Sequence, residues 1–301
     1  MQVEMVANII MADTATLDWV CTKHSERYVL QGMLHVLGTS HLLNKKPMTG
    51  YVERHRKRPE CHVLDVGANT GFYGLVGMAY GCDATFFDIQ RTCVDMINKS
   101  IVLNSHVHSK GAVYRLGISE SFDNIMSSQA DDCNGRLSLI RPSATTRAET
   151  HGNGIPIVPL TSVVPRARSV LILKIDTEGH EYGVLKGALP LFRSHQVLNA
   201  FVEVTPCCRF WDRIGVTRAQ VSEVFDVIVS YGYGMWVLGD AERESKYYNA
   251  TPVLLESANA IHDYILNADF LQQDMWLYSK VASPLSSQFK FQASRSERWS
   301  R

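Results

Sequence analysis

A doubly wound α/β fold built on a mostly parallel sheet is the class this sequence predicts, and three observations predict it. Short apolar runs bounded by turn residues alternate with longer segments whose apolar residues recur at helical spacing. One run, Val170–Asp176, is the most apolar strand candidate in the chain, interrupted only by Lys174. Another, Val63–Val66, feeds Gly67-Ala68-Asn69-Thr70-Gly71 directly into an apolar-periodic segment, the pattern of a strand entering a helix through a glycine turn.

The elements follow in order. Residues 13–37 carry Leu17, Val20, Cys21, Tyr28, Leu34 and Leu37 at helical spacing and read as an N-terminal helical cap. Residues 38–60 are polar, basic and Pro-containing, a connector. Then come strand Val63–Val66, helix Phe72–Tyr80, strand Ala84–Phe87, helix Arg91–Asn104 and strand Ala112–Leu116. In the second helix Val94, Ile97, Ile101 and Val102 share a face. From Ser127 to Gly154 the chain turns polar, either a disordered surface excursion or an active-site lid. Order resumes at Ile155–Leu160. Strand Val170–Asp176 leads to helix Glu181–Phe192, then to strand Leu198–Val204. Thr217–Tyr231 is amphipathic, with Val221, Val224, Phe225, Ile228 and Val229 in register. Tyr233–Leu238 and Met275–Ser279 are expected as a terminal strand pair around a helix near 259–271. The Ser-, Gln- and Arg-rich tail reads as disordered. The division is therefore residues 1–60 as cap and connector, 61–283 as the main domain and 284–301 as the tail.

Composition narrows the function. Thirty basic and thirty acidic side chains cancel, so no global field draws the chain to nucleic acid or an anionic membrane. The cluster Arg54-His55-Arg56-Lys57-Arg58 reads as a solvated linker. Seven cysteines, an odd count without C-x-x-C spacing, argue against a disulfide framework or a zinc knot and for a reducing compartment. No window approaches the ~20 apolar residues of a spanning helix. Met1–Met11 includes Glu4 and lacks a basic n-region, so it does not read as a signal peptide. A cytoplasmic location is the expectation. Nothing in the sequence specifies an oligomeric state.

The glycine turn constrains the ligand. Glycines at 67, 71 and 74 do not have the G-x-G-x-x-G spacing of a nicotinamide fingerprint. Asp65, at the strand end, suits an ammonium group better than a pyrophosphate. Asp88 ends the next strand, 21 residues after Gly67, where a carboxylate meets ribose hydroxyls. A ligand with both an amino acid head and a ribose points to S-adenosylmethionine. Asp65, Asp88, Asp176 and Glu203 all end predicted strands, and gathered at one sheet edge they make a negative crevice matched to a sulfonium and an ammonium. Each taken alone is equally well explained as a helix cap or ion pair. The junction Lys174-Ile175-Asp176-Thr177-Glu178-Gly179-His180-Glu181 holds more ionisable groups than a strand-to-helix turn requires, which marks a site. His180 alone reads as well as a surface histidine, and His106 and His108 read as loop residues.

These two motifs, Asp65-Val-Gly-Ala-Asn-Thr-Gly-Phe-Tyr and Leu173-Lys-Ile-Asp-Thr-Glu-Gly-His-Glu-Tyr-Gly-Val-Leu-Lys-Gly-Ala, with Val202-Glu203, resemble the FkbM family of S-adenosylmethionine-dependent methyltransferases over roughly residues 62–238. The resemblance implies a seven-stranded, Rossmann-like class I methyltransferase sheet with a terminal antiparallel strand, and transfer to a substrate oxygen. It places Asp65, Gly67, Ala68, Asn69 and Gly71 in the cofactor loop and Asp88 on the ribose. Asp176, Glu178, His180 and Glu203 then form the catalytic group, read without a metal, the alternative being that Asp176, Glu203 and Glu178 hold Mg²⁺ through oxygen ligands and water. The sequence departs from the family in two places: Ile89-Gln90 follows Asp88 where proline is usual, and Pro159–Val164 lacks the acids of a Leu-Asp-Asp-Leu-like segment. The expected partner is a small-molecule or glycan-type hydroxyl acceptor, whose identity the motifs do not encode. A cofactor-binding module without turnover and a nicotinamide oxidoreductase are the competing readings.

Overall fold

In the computed structural model, the described residues are 28–37, 61–104, 109–125, 133, 154–204, 211, 214–238, 252–267, 273–283 and 289. Residues 28–37 are helical (α1). There follow β1 (His62–Val66), α2 (Phe72–Ala79), β2 (Asp83–Asp88), α3 (Arg91–Leu103), β3 (Gly111–Arg115), β4 (Gly117–Ser119), β5 (Asp123–Ile125), β6 (Ile155–Pro159) and α4 (Leu160–Val163). Next come β7 (Ile172–Ile175), α5 (Glu181–Arg193), β8 (Asn199–Val204), α6 (Arg218–Ser230), β9 (Tyr233–Leu238), β10 (Val253–Leu255), α7 (Ala258–Asn267) and β11 (Gln273–Ser279).

The main sheet runs β10-β9-β11-β8-β7-β1-β2-β3. Strands β1, β2, β3, β7 and β8 are mutually parallel, and β11 lies antiparallel between β8 and β9. From β1 the chain winds outward to β2 and β3, then returns to β7 on the other side. The order therefore reverses between β1 and β7, where an open α/β sheet forms its ligand crevice. The doubly wound, mostly parallel class expected from the alternation is the one observed.

Two expectations need correction, and a further sheet adds to the fold. The main sheet has eight strands, not seven, because Val253–Leu255 pairs antiparallel along β9. A second sheet, β4-β6-β5, stands apart from the first. Strands β4, β5 and β10 have three residues each, too short to carry a period, whereas β6 falls within the ordered Ile155–Leu160 segment of the sequence. Cysteines also pair: Cys61 with Cys82 and Cys93 with Cys133, their Cα atoms 4.7 and 4.8 Å apart. Cys61 and Cys82 each precede a strand, and the parallel pairing of β1 with β2 brings them together, a proximity that sequence spacing does not carry. The helix expected over 13–37 is described only from residue 28. The connector, His106, His108, most of the polar excursion and the tail apart from Phe289 lie outside the described residues.

Alternation along the strands divides the core in two. Leu64, Val66, Leu173, Ile175 and Val202 face one side, under α5 and α6. Val63, Phe86, Ile172, Phe201 and Trp276 face the other, under α1 and α2. Helix α2 lies close on this second side because it presents glycines: a Cβ at Gly74 would fall 2.1 Å from the Phe86 ring. Helix α6 begins with a capping box in which Thr217 and Gln220 satisfy each other's backbone N–H. Among the described residues no helix is long and apolar enough to cross a membrane.

Candidate active site

The glycine loop leaves β1 at the switch point. Gly67 adopts φ +72, and a Cβ there would sit 1.7 Å from the Asp176 carbonyl oxygen, so the turn tolerates no side chain. The loop crosses onto β2 as the Gly67 and Ala68 N–H groups both donate to the Phe87 carbonyl, at 2.9 and 3.1 Å. Asn69 holds φ +50 and its N–H donates to Asp88 Oδ2 at 2.8 Å. Gly71 then caps α2 in the left-handed region at φ +84. The six residues expected to form the cofactor site, Asp65, Gly67, Ala68, Asn69, Gly71 and Asp88, thus lie together at one edge.

Register explains the carboxylates. Asp65 pairs with Phe86 on one side and Lys174 on the other, Lys174 with Phe201, and Phe201 with Trp276, one row across five strands. Two residues farther toward the crevice, on the same face by the pleat, come Asp88, Asp176, Glu203 and, from the antiparallel strand, Asp274. The four strand-end acids seen in the sequence therefore converge, and Asp274 is a fifth that sequence reasoning missed. It starts its strand rather than ending it, and an antiparallel strand begins at the edge where parallel ones stop.

These acids are not equivalent. Asp65 is 1% exposed and accepts the Gly74 N–H at 2.8 Å. Burial pushes its carboxyl up to about 7 against the Gly74 hydrogen bond and the nearby Lys174 charge, with Asp176 and Asp88 adding repulsion. Asp88 accepts from the Asn69 and Gln90 N–H groups, one on each oxygen, and burial raises it to about 6. Asp176 is more open, its side chain 27% exposed, with Oδ2 at 3.6 Å from Lys174 Nζ. Glu203 is buried in β8.

The junction after β7 turns on an acid outside the expected catalytic group. Glu181 Oε1 accepts the Thr177 N–H, the Thr177 hydroxyl and the Gly179 N–H at 2.9–3.1 Å. This shapes the turn in which Glu178 and Gly179 adopt φ +52 and +104. Glu181 is itself buried, which raises it to about 7. Glu178 and His180 sit half-buried on that turn, and His180 stands at the N-cap of α5 without a side-chain cap bond. Cys133, joined to Cys93 just after the start of α3, lies 3.2 Å from the Asn69 Oδ1. Among the described residues no group of three or more His, Cys, Asp or Glu side chains is placed to hold a metal ion.

A family profile described as the methyltransferase FkbM domain matches residues 65–235. No curated protein matches the sequence. Among solved structures, the chain is similar to a SAM-dependent methyltransferase from Agrobacterium tumefaciens at 11% identity and TM-score 0.38, covering 84% of this chain and 62% of that one. WbdD is similar at 10% identity and TM-score 0.43, covering 93% and 47%. Precorrin-6y C5,15-methyltransferase from Geobacter metallireducens is similar at 7% identity and TM-score 0.32, covering 82% and 89%. The chain thus spans less than two thirds of the first two structures.

Proposed function

The chain belongs to the FkbM family of S-adenosylmethionine-dependent methyltransferases, and we propose that it transfers methyl to a hydroxyl oxygen of a small-molecule or glycan-type acceptor. The observation that carries this reading is the convergence of Asp65, Asp88, Asp176 and Glu203 at the ends of four adjacent parallel strands, beside a loop that admits no Cβ at Gly67.

The residues present fit the cofactor. Each Asp88 oxygen accepts one backbone N–H and keeps a lone pair for a ribose hydroxyl. Asp65, sealed behind Gly74, acts on an ammonium through its charge rather than by direct contact. Bound there, S-adenosylmethionine supplies an electrophilic methyl on a sulfonium. The chain's own work is alignment, worth up to ~7–11 kcal/mol in favourable cases. Asp176, the most exposed acid of the row at 27%, holds the acceptor hydroxyl by accepting its hydrogen bond and takes its proton as the oxygen becomes an ether. Glu203 lends further negative charge to that end of the crevice.

Calorimetry with S-adenosylhomocysteine and NAD, followed by methyl-labelled transfer over fractionated hydroxyl compounds, tests the reading. Binding of the first ligand alone and label in an alkali-stable ether are expected. Binding of NAD, or label on nitrogen or in an ester, overturns it. Cofactor binding without transfer to any fraction supports instead a binding module without turnover.

A further inference from the structure

Methyl transfer turns a sulfonium cation into a neutral thioether, so charge is the property by which the cofactor and its spent form differ most. The end of the crevice that meets this change contains a cation of its own. Lys174 is 1% exposed, with Nζ 3.6 Å from Asp176 Oδ2, 3.7 Å from Asp274 Oδ1 and 5.3 Å from the Tyr73 ring centroid. A buried ammonium persists where carboxylates and an aromatic face replace its water. Asp274 comes from β11, beyond the segment matched by the family profile. The Tyr73 hydroxyl is buried and has no hydrogen-bond partner among the described residues, which marks this corner as incomplete without a polar ligand.

We propose that Lys174 and Asp274 set the charge of the methyl-transfer end of the crevice, and with it the preference for the cationic cofactor over its neutral product. The inference rests on the cofactor assignment above. Without the lysine, Asp176 and Asp274 would add their full charge to that of Asp65, Asp88 and Glu203 and hold a sulfonium more tightly. Without Asp274, the lysine would offset Asp176 and repel the sulfonium. Glu181, from α5, adds to the field at Asp176 but belongs to the turn.

The test is calorimetry of S-adenosylmethionine and S-adenosylhomocysteine with the wild type, Asp274→Asn, Lys174→Met and the double variant at pH 8. Asp274→Asn should weaken the cationic ligand by about fivefold or more while the neutral one changes less than about twofold. Lys174→Met should move the ratio the other way, and the double variant should fall between them. Should Lys174→Met not fold, the Asp274→Asn ratio decides alone. Parallel losses for both ligands, or an unmoved ratio, overturn the inference and leave a structural pair. Failure of the wild type to bind either ligand instead overturns the cofactor assignment.

Discussion

The two sides of the crevice handle buried charge differently. On the glycine-loop side, Asp65 and Asp88 accept backbone N–H groups from Gly74, Asn69 and Gln90, and burial pushes both carboxyls upward. On the β7–β11 side, Asp176 and Asp274 face a buried lysine. The loop side uses its acids to hold backbone in a shape, and the lysine side uses them to balance charge. Acids that shape a loop should govern affinity for both forms of the cofactor, whereas the charges around Lys174 should govern the preference for its cationic form and, through Asp176, turnover.

Breaking the loop side at its tightest point should have the largest effect. Gly67→Val sets a side chain against the Asp176 carbonyl and forces a β-branched residue to φ +72. Cofactor binding should vanish and the thermal midpoint should fall, both read on one purified sample. A variant that binds normally would detach this loop from the site.

Turnover is the next measure. Asp176→Asn keeps volume and removes charge, so methyl transfer should fall by ~10²–10⁴-fold while S-adenosylhomocysteine affinity stays near wild type. Equal losses in both would make Asp176 part of the cofactor side and erase the distinction between the two regions. Asp88→Ala should show the reverse split. Loss of its ribose contacts should cost cofactor binding about 1.5–3 kcal/mol, the range for hydrogen bonds to a charged group. Because the Asn69 and Gln90 N–H groups lose their acceptor too, circular dichroism should accompany the calorimetry.

The smallest effect is a pH dependence. Asp65 stands at about 7 when folded, against 3.8 ordinarily, so it binds its proton more tightly folded than unfolded. Its contribution to stability is complete below about pH 4 and is lost as pH rises through about 7, with Asp88 following the same sign through about 6. Thermal midpoints of the ligand-free protein should therefore decline across about pH 4–7 from these groups. A cationic ligand needs Asp65 ionised, so affinity should rise about tenfold from pH 6 to 8, with proton release visible as a buffer-dependent heat at pH 6. A heat independent of buffer would show that Asp65 stays neutral in the complex.

Much of this was legible in the chain. Val63–Val66, the glycine turn and Asp88 lie within 26 residues, and the Lys174–Glu181 junction is shorter still, so local pattern and local chemistry coincide there. What stayed hidden depends on neighbours far apart in sequence. Glu181 reads as a first-turn helix acid, and only its three hydrogen bonds reveal that it builds the turn. Lys174 counts among the excess charges of its junction, but its partner appears only when β11 brings Asp274 within 3.7 Å, one hundred residues later.

By itself the sequence determined the alternation of strands and helices, the loop that must lack side chains, and the four acids at strand ends, because period and turn chemistry act over a few residues. Only the tertiary structure decided that β11 brings a fifth acid, Asp274, to that edge, that Cys61 meets Cys82, and that Asp65 lies sealed while Asp176 stays open. Strand direction, pairing and burial are properties of the assembled sheet. They depend on which backbone lies beside which, and no local window of residues contains that information.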